Sequence, residues 1–400
     1  MISRIASEVV QQYIFDHEHE DERKLALSKK EILGVPPAVL AEQIRGRKKA
    51  KEKLPSHYRT RGIVYPPGIN LEQCSSEQTA AFKASIIQKH LGIKLTSCAD
   101  LTGGFGVDSF AFSKICNTVH TVDPNEGLLE IAKHNHTLLG ATNIFYHSQT
   151  AEDFLLQNEN RFDFIYIDPS RRRNANQRVF KFSECEPNVV DLLSPLLKKS
   201  DVVLVKASPL VDISQGLQEL PHTQHVYVLS VNNECKEVLF LCTSNPEQEP
   251  VIHAVNLVHE VVHEFSFSQT EEKKSTSSIS VPSTYLYEPN ASILKAGAFK
   301  LVATRFNIHK VHVNTHLYTS DKLVHDFPGR IFKVEAIVKP DAKSIKPYLP
   351  EERANVITRN YPLIPDTLRK RIGLKDGGEK YVIGFTTADK PLVIVAERLS

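Results

Sequence analysis

The chain of 400 residues is 41% hydrophobic and 24% charged, and its formal net charge is only +2. This composition is typical of a soluble globular protein with two or three domains. It excludes a uniformly basic nucleic-acid binder, so any surface for nucleic acid must be a local patch. No apolar run approaches the roughly 20 residues of a membrane span, and the N-terminus turns acidic without a secretory core. We therefore expect a cytoplasmic protein that does not bind a membrane.

The cysteines and histidines do not indicate a metal site. Six cysteines are scattered without a Cys-x-x-Cys pair, and the His-Glu-x-x-His order at 259–263 falls in a strand-like run, where its two histidines do not share a helix face. These patterns predict neither a metal site nor a disulfide framework.

The first 70 residues or so have charged, helical patterns, with a loop near GVPP at 34–37. The segment from Ile44 to Pro55, IRGRKKAKEKLP, then places several basic residues within a few turns. Such a run fits a solvated helix face, and beside a nucleotide-modifying site it also fits a patch that contacts phosphates. A Pro- and Gly-rich linker, YRTRGIVYPPGIN, follows it.

A helix is predicted after this linker, in LEQCSSEQTAAFKASIIQKHLG. Ser75 or Ser76 fits its N-cap, Glu77 its first turn and Gly92 its end. Because this helix precedes a glycine-rich strand, its first polar residues could border a ligand, although a plain packing helix also fits the pattern.

The stretch TSCADLTGGFGVD, from Thr96 to Asp108, is a short apolar strand that runs into glycines and then into a helix, FAFSKI. This arrangement is typical of sites for nucleotide-type ligands, although an ordinary strand–helix turn also fits it. A dinucleotide site would need a glycine where Ser109 stands. Asp100, at the strand end, suits a ligand that carries an ammonium group. S-adenosylmethionine is such a ligand and contains no phosphate, so the pattern favours a methyl donor.

Strands and helices alternate from here to about residue 243. The strands TVHTV, NIFYH, FDFIYI and DVVLVKAS are followed by a hairpin-like pair, HVYVLSV and KEVLFLC. Alternation predicts a parallel sheet whose ligand lies at the carboxyl ends of the strands. Asp100, Asp123, Thr150 and Asp168 all fall on that edge. Asp123, at the end of the second strand, is placed to accept hydrogen bonds from a ribose diol.

The C-terminal third has mixed patterns. Two strand-like runs and a polar linker occupy 244–280, and a compact α+β unit is expected for 281–330. The remaining residues mix strands with helices, including a helix in SIKPYLPEERAN and a basic helix in PDTLRKRIGL.

The motif ADLTGGFG resembles the first motif of class I S-adenosylmethionine-dependent methyltransferases, Asp-x-x-x-Gly-x-Gly. Asp123 matches their ribose-binding acid, and Asp168-Pro169 matches the Asp/Asn-Pro-Pro-Tyr type of motif. The whole chain is similar to the bacterial methyltransferases that carry a C-terminal THUMP-like domain. The similarity rests on the phrases EQCSSEQTA, YIDPSRR, ECEPNVV, NECKEVLF, YLYEPNASILKAGAFK and TRNYPLIPDTLRKRIGLKDGGEKY.

The resemblance implies an α/β fold with a Rossmann-like seven-stranded methyltransferase sheet, a helical N-terminal region and small α+β C-terminal domains. We expect the helical region at 1–72 and the S-adenosylmethionine-binding domain at 73–245. We expect a strand pair, linker and ferredoxin-like domain at 246–330 and a THUMP-like RNA-binding domain at 331–400.

From the residues and the resemblance together we assign three sets of site residues. Donor binding is assigned to Asp100, Thr102, Gly103, Gly104, Phe105, Gly106, Asp123, Pro124, Thr150, Ala151 and Asp168. Catalysis is assigned to Asp168, Pro169, Ser170 and Arg171. RNA binding is assigned to Arg45, Arg47, Lys48, Lys49, Arg172, Arg173, Lys206, Arg369, Lys370 and Arg371.

The chain also departs from the family pattern. Gln149, Thr150 and Ala151 stand where many relatives have an acidic residue against the adenine amino group, and Ser170 and Arg171 replace a proline and an aromatic residue. The Asp-Pro-x-Arg order also resembles uracil C5-methyltransferases. Those enzymes use a cysteine after the fifth strand, and the segment Lys206–Pro209 has none, which argues against covalent attack.

The sequence therefore favours methyl transfer from S-adenosylmethionine to a base, at an exocyclic amine, of ribosomal or transfer RNA. Two alternatives stay open. One is an RNA-binding or assembly factor with a vestigial donor pocket, which the altered motif at 168–171 supports. The other is a protein or small-molecule methyltransferase, against which the basic segments at 45–53 and 368–375 stand.

Overall fold

The computed structural model describes residues 1–28, 30–171, 181–246, 248–259 and 261–399. The chain forms two compact units. The first comprises Met1–Gln224 and Phe240–Glu247, and the second comprises His225–Leu239 and Gln248–Ser400. The predicted domain limits at 72, 245 and 330 stay predictions.

The first unit begins with a helical region, as the charged helical patterns predict. Its helices are α1 (Ile2–Ile5), α2 (Glu8–Asp16), α3 (Glu22–Ala26), α4 (Pro37–Lys53), α5 (Pro55–Arg59), α6 (Gly68–Gln73) and α7 (Glu77–Leu91). Ser76, rather than Ser75, is the N-cap of α7, and its hydroxyl oxygen accepts from the N–H of Thr79 at 3.1 Å. The helix ends at Gly92.

Strands and helices then alternate along the chain. They are β1 (Leu95–Asp100), α8 (Val107–Phe112), β2 (Cys116–Val122), α9 (Glu126–Leu138), β3 (Ile144–His147), α10 (Ala151–Gln157), β4 (Phe164–Ile167), β5 (Ser170–Arg171), β6 (Cys185–Glu186), α11 (Val189–Lys199), β7 (Val202–Ala207), α12 (Ile213–Glu219), β8 (Thr223–Val231) and β9 (Glu234–Thr243). The helix expected to open at Asp108 and Ser109 and run through FAFSKI is α8, which starts one residue earlier, directly after the glycines, and ends at Phe112.

The sheet of the first unit confirms the predicted α/β fold. Its strand order is β9-β7-β4-β1-β2-β3. β1 is parallel to both β2 and β4, β3 is parallel to β2, and β7 is parallel to β4. Val119, Phe164 and Ile165 are fully buried between the flanking helices, as expected for strands covered on both faces. The carboxyl ends of β1, β2, β3 and β4 therefore meet at one edge.

The second unit contains the remaining strands and helices. They are β10 (Val251–Val258), β11 (Val261–Ser268), α13 (Gln269–Lys274), β12 (Tyr285–Pro289), α14 (Ala291–Ala296), α15 (Phe299–Phe306), β13 (His309–His312), β14 (Thr315–Ser320), β15 (Gly329–Val338), α16 (Ala342–Ile345), β16 (Asn355–Arg359), α17 (Pro365–Arg371), β17 (Lys380–Thr386) and β18 (Pro391–Arg398). Within this unit β10 is parallel to β8 and antiparallel to β11.

A separate sheet in the second unit has the order β13-β14-β12-β15-β18-β17-β16. Its core contains the fully buried Leu286, Phe332, Ile383 and Phe385. Two expectations fail here. The polar linker begins with a helix, α13, which a capping box between Ser268 and Glu271 stabilises. The helix expected in SIKPYLPEERAN shrinks to α16 and a following 3₁₀ turn.

No helix in the described ranges is long and apolar enough to cross a membrane.

Candidate functional site

A cavity of about 420 Å³ opens at the carboxyl edge of the first unit's sheet. It lies where β1, β2 and β4 end, as the strand alternation predicts. The residues assigned to donor binding or catalysis that line it are Thr102, Gly103, Gly104, Phe105, Gly106, Asp123, Pro124, Thr150, Ala151, Asp168 and Ser170. The structure thus brings together ten of the eleven residues assigned to donor binding.

The glycines of this edge are required by packing as well as by the cavity. Gly106 has φ of 86°, and a Cβ there would lie 2.5 Å from the ring of His136. A Cβ on Gly103 would lie 2.1 Å from the hydroxyl oxygen of Thr121. The loop therefore lies closely on β2 and α9, which fits the tight-packing interpretation of the glycine motif. Its use for ligand approach stays a prediction.

Asp123 is held in place at the end of β2. One of its carboxylate oxygens accepts from the N–H of Gly104 at 2.9 Å, and the other accepts from the N–H of Asn125 at 2.8 Å. These bonds couple the acid to the glycine loop and to the start of α9. A carboxylate with a defined orientation is what recognition of a ribose diol requires.

Asp100 is not one of the described residues that line the cavity, and it is only 1% exposed. Its carboxylate accepts from the hydroxyl of Ser109 at 2.5 Å and from the N–H of Thr102 at 3.2 Å. Burial, with a smaller effect of the charge of Asp108, raises the pKa of Asp100 to about 7. The geometry gives Asp100 a role in holding the glycine loop and α8, rather than the direct ligand contact that we expected.

Asp168 follows β4 and carries two bonds that orient it. Its N–H donates to the hydroxyl oxygen of Thr102 at 2.7 Å, and its carboxylate forms an ion pair with Lys206. Lys206, which we assigned to RNA, therefore reaches the candidate catalytic carboxylate. Its side chain is only 12% exposed, which leaves little of it available for a phosphate.

Of the other residues in the altered motif, Ser170 lines the cavity, whereas Pro169 and Arg171 lie off its wall. Pro169 is buried, and Ser170 and Arg171 form β5, which pairs with β6 at Glu186 and Cys185. Arg172 and Arg173 lie outside the described residues.

The cavity wall also contains residues that we did not assign. They are Asn70, Gln73, Cys74, Ser75, Leu101, Val107, Asp108, Asn125, Leu128, Glu186 and Pro187. Gln73 and Ser75 carried a signal, because they lie in LEQCSSEQTAAFKASIIQKHLG, the segment whose first polar residues were expected to border a ligand. Asn70, the last residue of the predicted linker, carried none.

The basic segment of α4 is largely paired within the protein. The Arg47 side chain donates to Glu18 at 2.8 Å and lies 4.3 Å from the ring centroid of Tyr58. Lys48 pairs with Glu22 at 2.6 Å, and Lys49 pairs with Glu72. Arg45 is exposed. The structure thus favours the solvated, ion-paired helix face for most of this run.

The basic helix of the second unit is different. On α17, Arg369 pairs with Asp366 at 2.8 Å and with Asp376 at 3.1 Å, whereas Lys370 and Arg371 are exposed.

Among the described residues, no cluster of three or more His, Cys, Asp or Glu side chains could hold a metal ion.

Comparison with known proteins gives two family-model matches. Residues 285–328 match a ferredoxin-like domain and residues 329–398 match a THUMP domain-like model. No curated protein matches the chain. The crystal structure of a candidate methyltransferase from Porphyromonas gingivalis W83 is 31% identical, with a TM-score of 0.85, and the match covers 98% of each chain.

Other solved structures match only part of the chain. An rRNA methylase from Streptococcus thermophilus is 11% identical, and the match covers 41% of this chain and 95% of the other, with a TM-score of 0.31. A candidate RNA methyltransferase from Pyrococcus horikoshii is 15% identical, with coverages of 50% and 98% and a TM-score of 0.35. Similarities at this level carry no argument about activity.

Proposed function

Because this chain belongs to the family of candidate methyltransferases with ferredoxin-like and THUMP-like C-terminal domains, we propose that it methylates RNA. The donor in this proposal is S-adenosylmethionine, and the acceptor is an exocyclic amine on a base of ribosomal or transfer RNA.

The observation that carries the proposal is the convergence of donor-type residues on one cavity. The glycine loop, Asp123 and Thr150 come from three separate strand ends and all line the same space. A volume of about 420 Å³ falls in the range of small-molecule and cofactor sites.

Each strand end has a distinct task in this proposal. Asp123 accepts hydrogen bonds from the ribose hydroxyls, and its two oxygens are already oriented by the N–H groups of Gly104 and Asn125. Thr150 and Ala151 border the adenine. Thr150 caps α10, since its hydroxyl oxygen accepts from the N–H of Asp153 at 3.1 Å, and this bond fixes the backbone at that end of the cavity.

The donor supplies a methyl group that its sulfonium has already made electrophilic, so the protein mainly aligns the two reactants. Lys206 holds one carboxylate oxygen of Asp168. The other oxygen of Asp168 accepts an N–H of the target amine and directs the nitrogen lone pair at the methyl carbon. The proton that the nitrogen carries after transfer leaves to solvent.

The RNA part of the proposal is supported by the THUMP-like match over 329–398 and by the exposed basic side chains of Lys370 and Arg371 inside it. Arginine and lysine side chains on an open helix contact phosphates without reading sequence. The target base is then selected in the first unit.

The test is methyl transfer from labelled S-adenosylmethionine to RNA from cells that lack this gene. We expect label in RNA with the wild type, and at least a hundredfold less with Asp168→Ala. Asp191→Ala removes an exposed carboxylate on α11 and serves as the matched control with wild-type activity. Label on protein instead of RNA, or equal activity of Asp168→Ala, would contradict the proposal.

A second candidate is an RNA-binding or assembly factor whose donor pocket has lost its activity. The observation that favours it is that Ser170 and Arg171 stand in place of the proline and the stacking aromatic residue of the family motif, and pair with β6. Donor affinity separates the two, since a vestigial pocket need not bind S-adenosylmethionine.

A further inference from the structure

A buried lysine lies directly behind the wall of the cavity. Lys83, on α7, is 0% exposed. Its ammonium nitrogen lies 2.9 Å from the hydroxyl oxygen of Ser75 and 3.1 Å from a carboxylate oxygen of Asp108. Ser75 and Asp108 both line the cavity. The positive charge is therefore inside the protein, and its partners form the surface that a ligand would meet.

Hydrogen bonds join this lysine and its partners into one cluster. The hydroxyl of Ser75 donates to Asp108 at 2.7 Å, and the hydroxyl of Tyr166 donates to the same carboxylate oxygen at 3.1 Å. The Lys83 nitrogen also lies 5.9 Å from the centroid of the Tyr166 ring. The cluster ties the start of α7, the first turn of α8 and β4 together.

Stability alone does not account for this cluster. Removing two charges from water is costly, and apolar side chains of similar volume in place of a buried ion pair are often neutral or stabilising. The pair has a defined direction with respect to the cavity, because Asp108 lines the wall and Lys83 is buried behind it. The carboxylate itself is covered, because one oxygen is buried and the other accepts from Ser75 and Tyr166, so its charge acts on the ligand space through the wall.

We propose that the Lys83–Asp108 pair makes the donor cavity select a cationic sulfonium over the neutral thioether that remains after methyl transfer. Lys83 acts as a positioning residue, since it holds Asp108 in place without reaching the ligand. Asp108 provides a fixed negative wall whose attraction for the sulfonium charge is strengthened by the low dielectric of a buried site. This inference rests on the proposed function, because it assumes that the cavity binds S-adenosylmethionine.

The experiment measures the dissociation constants of S-adenosylmethionine and S-adenosylhomocysteine by calorimetry on the full chain. The variant is the double replacement Lys83→Met and Asp108→Leu. We expect its affinity for S-adenosylmethionine to fall at least tenfold, its affinity for S-adenosylhomocysteine to change less than threefold, and its melting temperature to stay within a few degrees of the wild type.

The control is Arg161→Met with Asp201→Leu, which removes the same two charges from an exposed ion pair at 3.0 Å. We expect this control to bind both compounds like the wild type. If the first double variant does not fold, Asp108→Asn keeps the side-chain shape and is judged by the same selective loss.

Two other results would overturn the inference. Equal weakening of both affinities means that the cluster only supports the wall, and unchanged affinities mean that it has no role in binding. A wild-type protein that binds neither compound would overturn the proposed function itself, and this inference with it.

Discussion

The cavity at the carboxyl edge of the sheet and the basic segment of α4 lie in the same unit, yet the predicted residues stay accessible in the first and are paired within the protein in the second. At the cavity, side chains predicted from strand ends stay on an open surface, and ten of eleven converge. On α4, the predicted phosphate contacts Arg47, Lys48 and Lys49 are paired with glutamates of neighbouring segments, Glu18, Glu22 and Glu72. The topology of the sheet fixes the position of a strand end. The partner of a surface charge depends instead on which distant segments pack beside it.

The pH dependence of the free energy of unfolding tests whether Asp100 is buried away from the cavity. Burial raises the pKa of Asp100 from an ordinary value of 3.8 to about 7. Ionising its carboxyl group therefore costs more free energy in the folded than in the unfolded chain. The free energy of unfolding consequently falls as the pH rises from about 4 to about 7.

We expect Asp100→Asn to gain stability relative to the wild type across that pH range, by up to about 4 kcal/mol from the three-unit change. Urea unfolding at pH 4, 5, 6 and 7 measures the difference. Parallel stability curves for the two proteins would show that Asp100 is solvated like a cavity residue.

Gly106→Ala tests whether the glycine loop depends on packing. The new methyl group would meet His136 at 2.5 Å, and φ is 86°. We expect a loss of about 3 kcal/mol or more in the free energy of unfolding, from left-handed backbone strain plus the clash. Gly140→Ala is the matched control, because Gly140 has φ of 84° and nothing within 4 Å of its new methyl group. It should lose only the backbone part, about 1–2 kcal/mol, and equal losses would show that packing plays no part.

Asp123→Ala tests the donor site itself. It removes a carboxylate that accepts from Gly104 and Asn125 and that the proposal directs at the ribose. We expect S-adenosylmethionine affinity to fall about a hundredfold, as for the loss of two charge-assisted hydrogen bonds. Asp201→Ala, at an exposed carboxylate, is the control. Unchanged affinity in Asp123→Ala would show that the ligand does not lie along β2.

The smallest expected effect comes from a direct comparison of the two basic segments, by the salt dependence of RNA binding. Lys370→Gln with Arg371→Gln removes exposed charges on α17, and we expect the salt slope of RNA binding to fall by about 1.5. Lys48→Gln with Lys49→Gln removes charges that Glu22 and Glu72 already neutralise, and the slope should change by less than about 0.5. The opposite ranking would place the RNA on α4.

Much of the site could be predicted because its residues are defined by local patterns. Alternating strands and helices specify a parallel sheet, and residues after such strands must share one edge. Asp123, Thr150 and Asp168 were found in this way. Asn70 could not be, since it ends a Pro- and Gly-rich segment without a periodic pattern, and only the fold brings α6 to the cavity.

Periodicity and short motifs were enough to predict the order of strands and helices, the sheet edge with the candidate site and the family of the chain. The tertiary structure, in contrast, sets which polar and charged side chains meet. It placed Lys206 on Asp168, 38 positions away, and Ser75 on Asp108, 33 positions away. It also buried Asp100 behind the wall that it was expected to form. Such pairings follow from how helices pack on the sheet, and no local pattern in the chain encodes them.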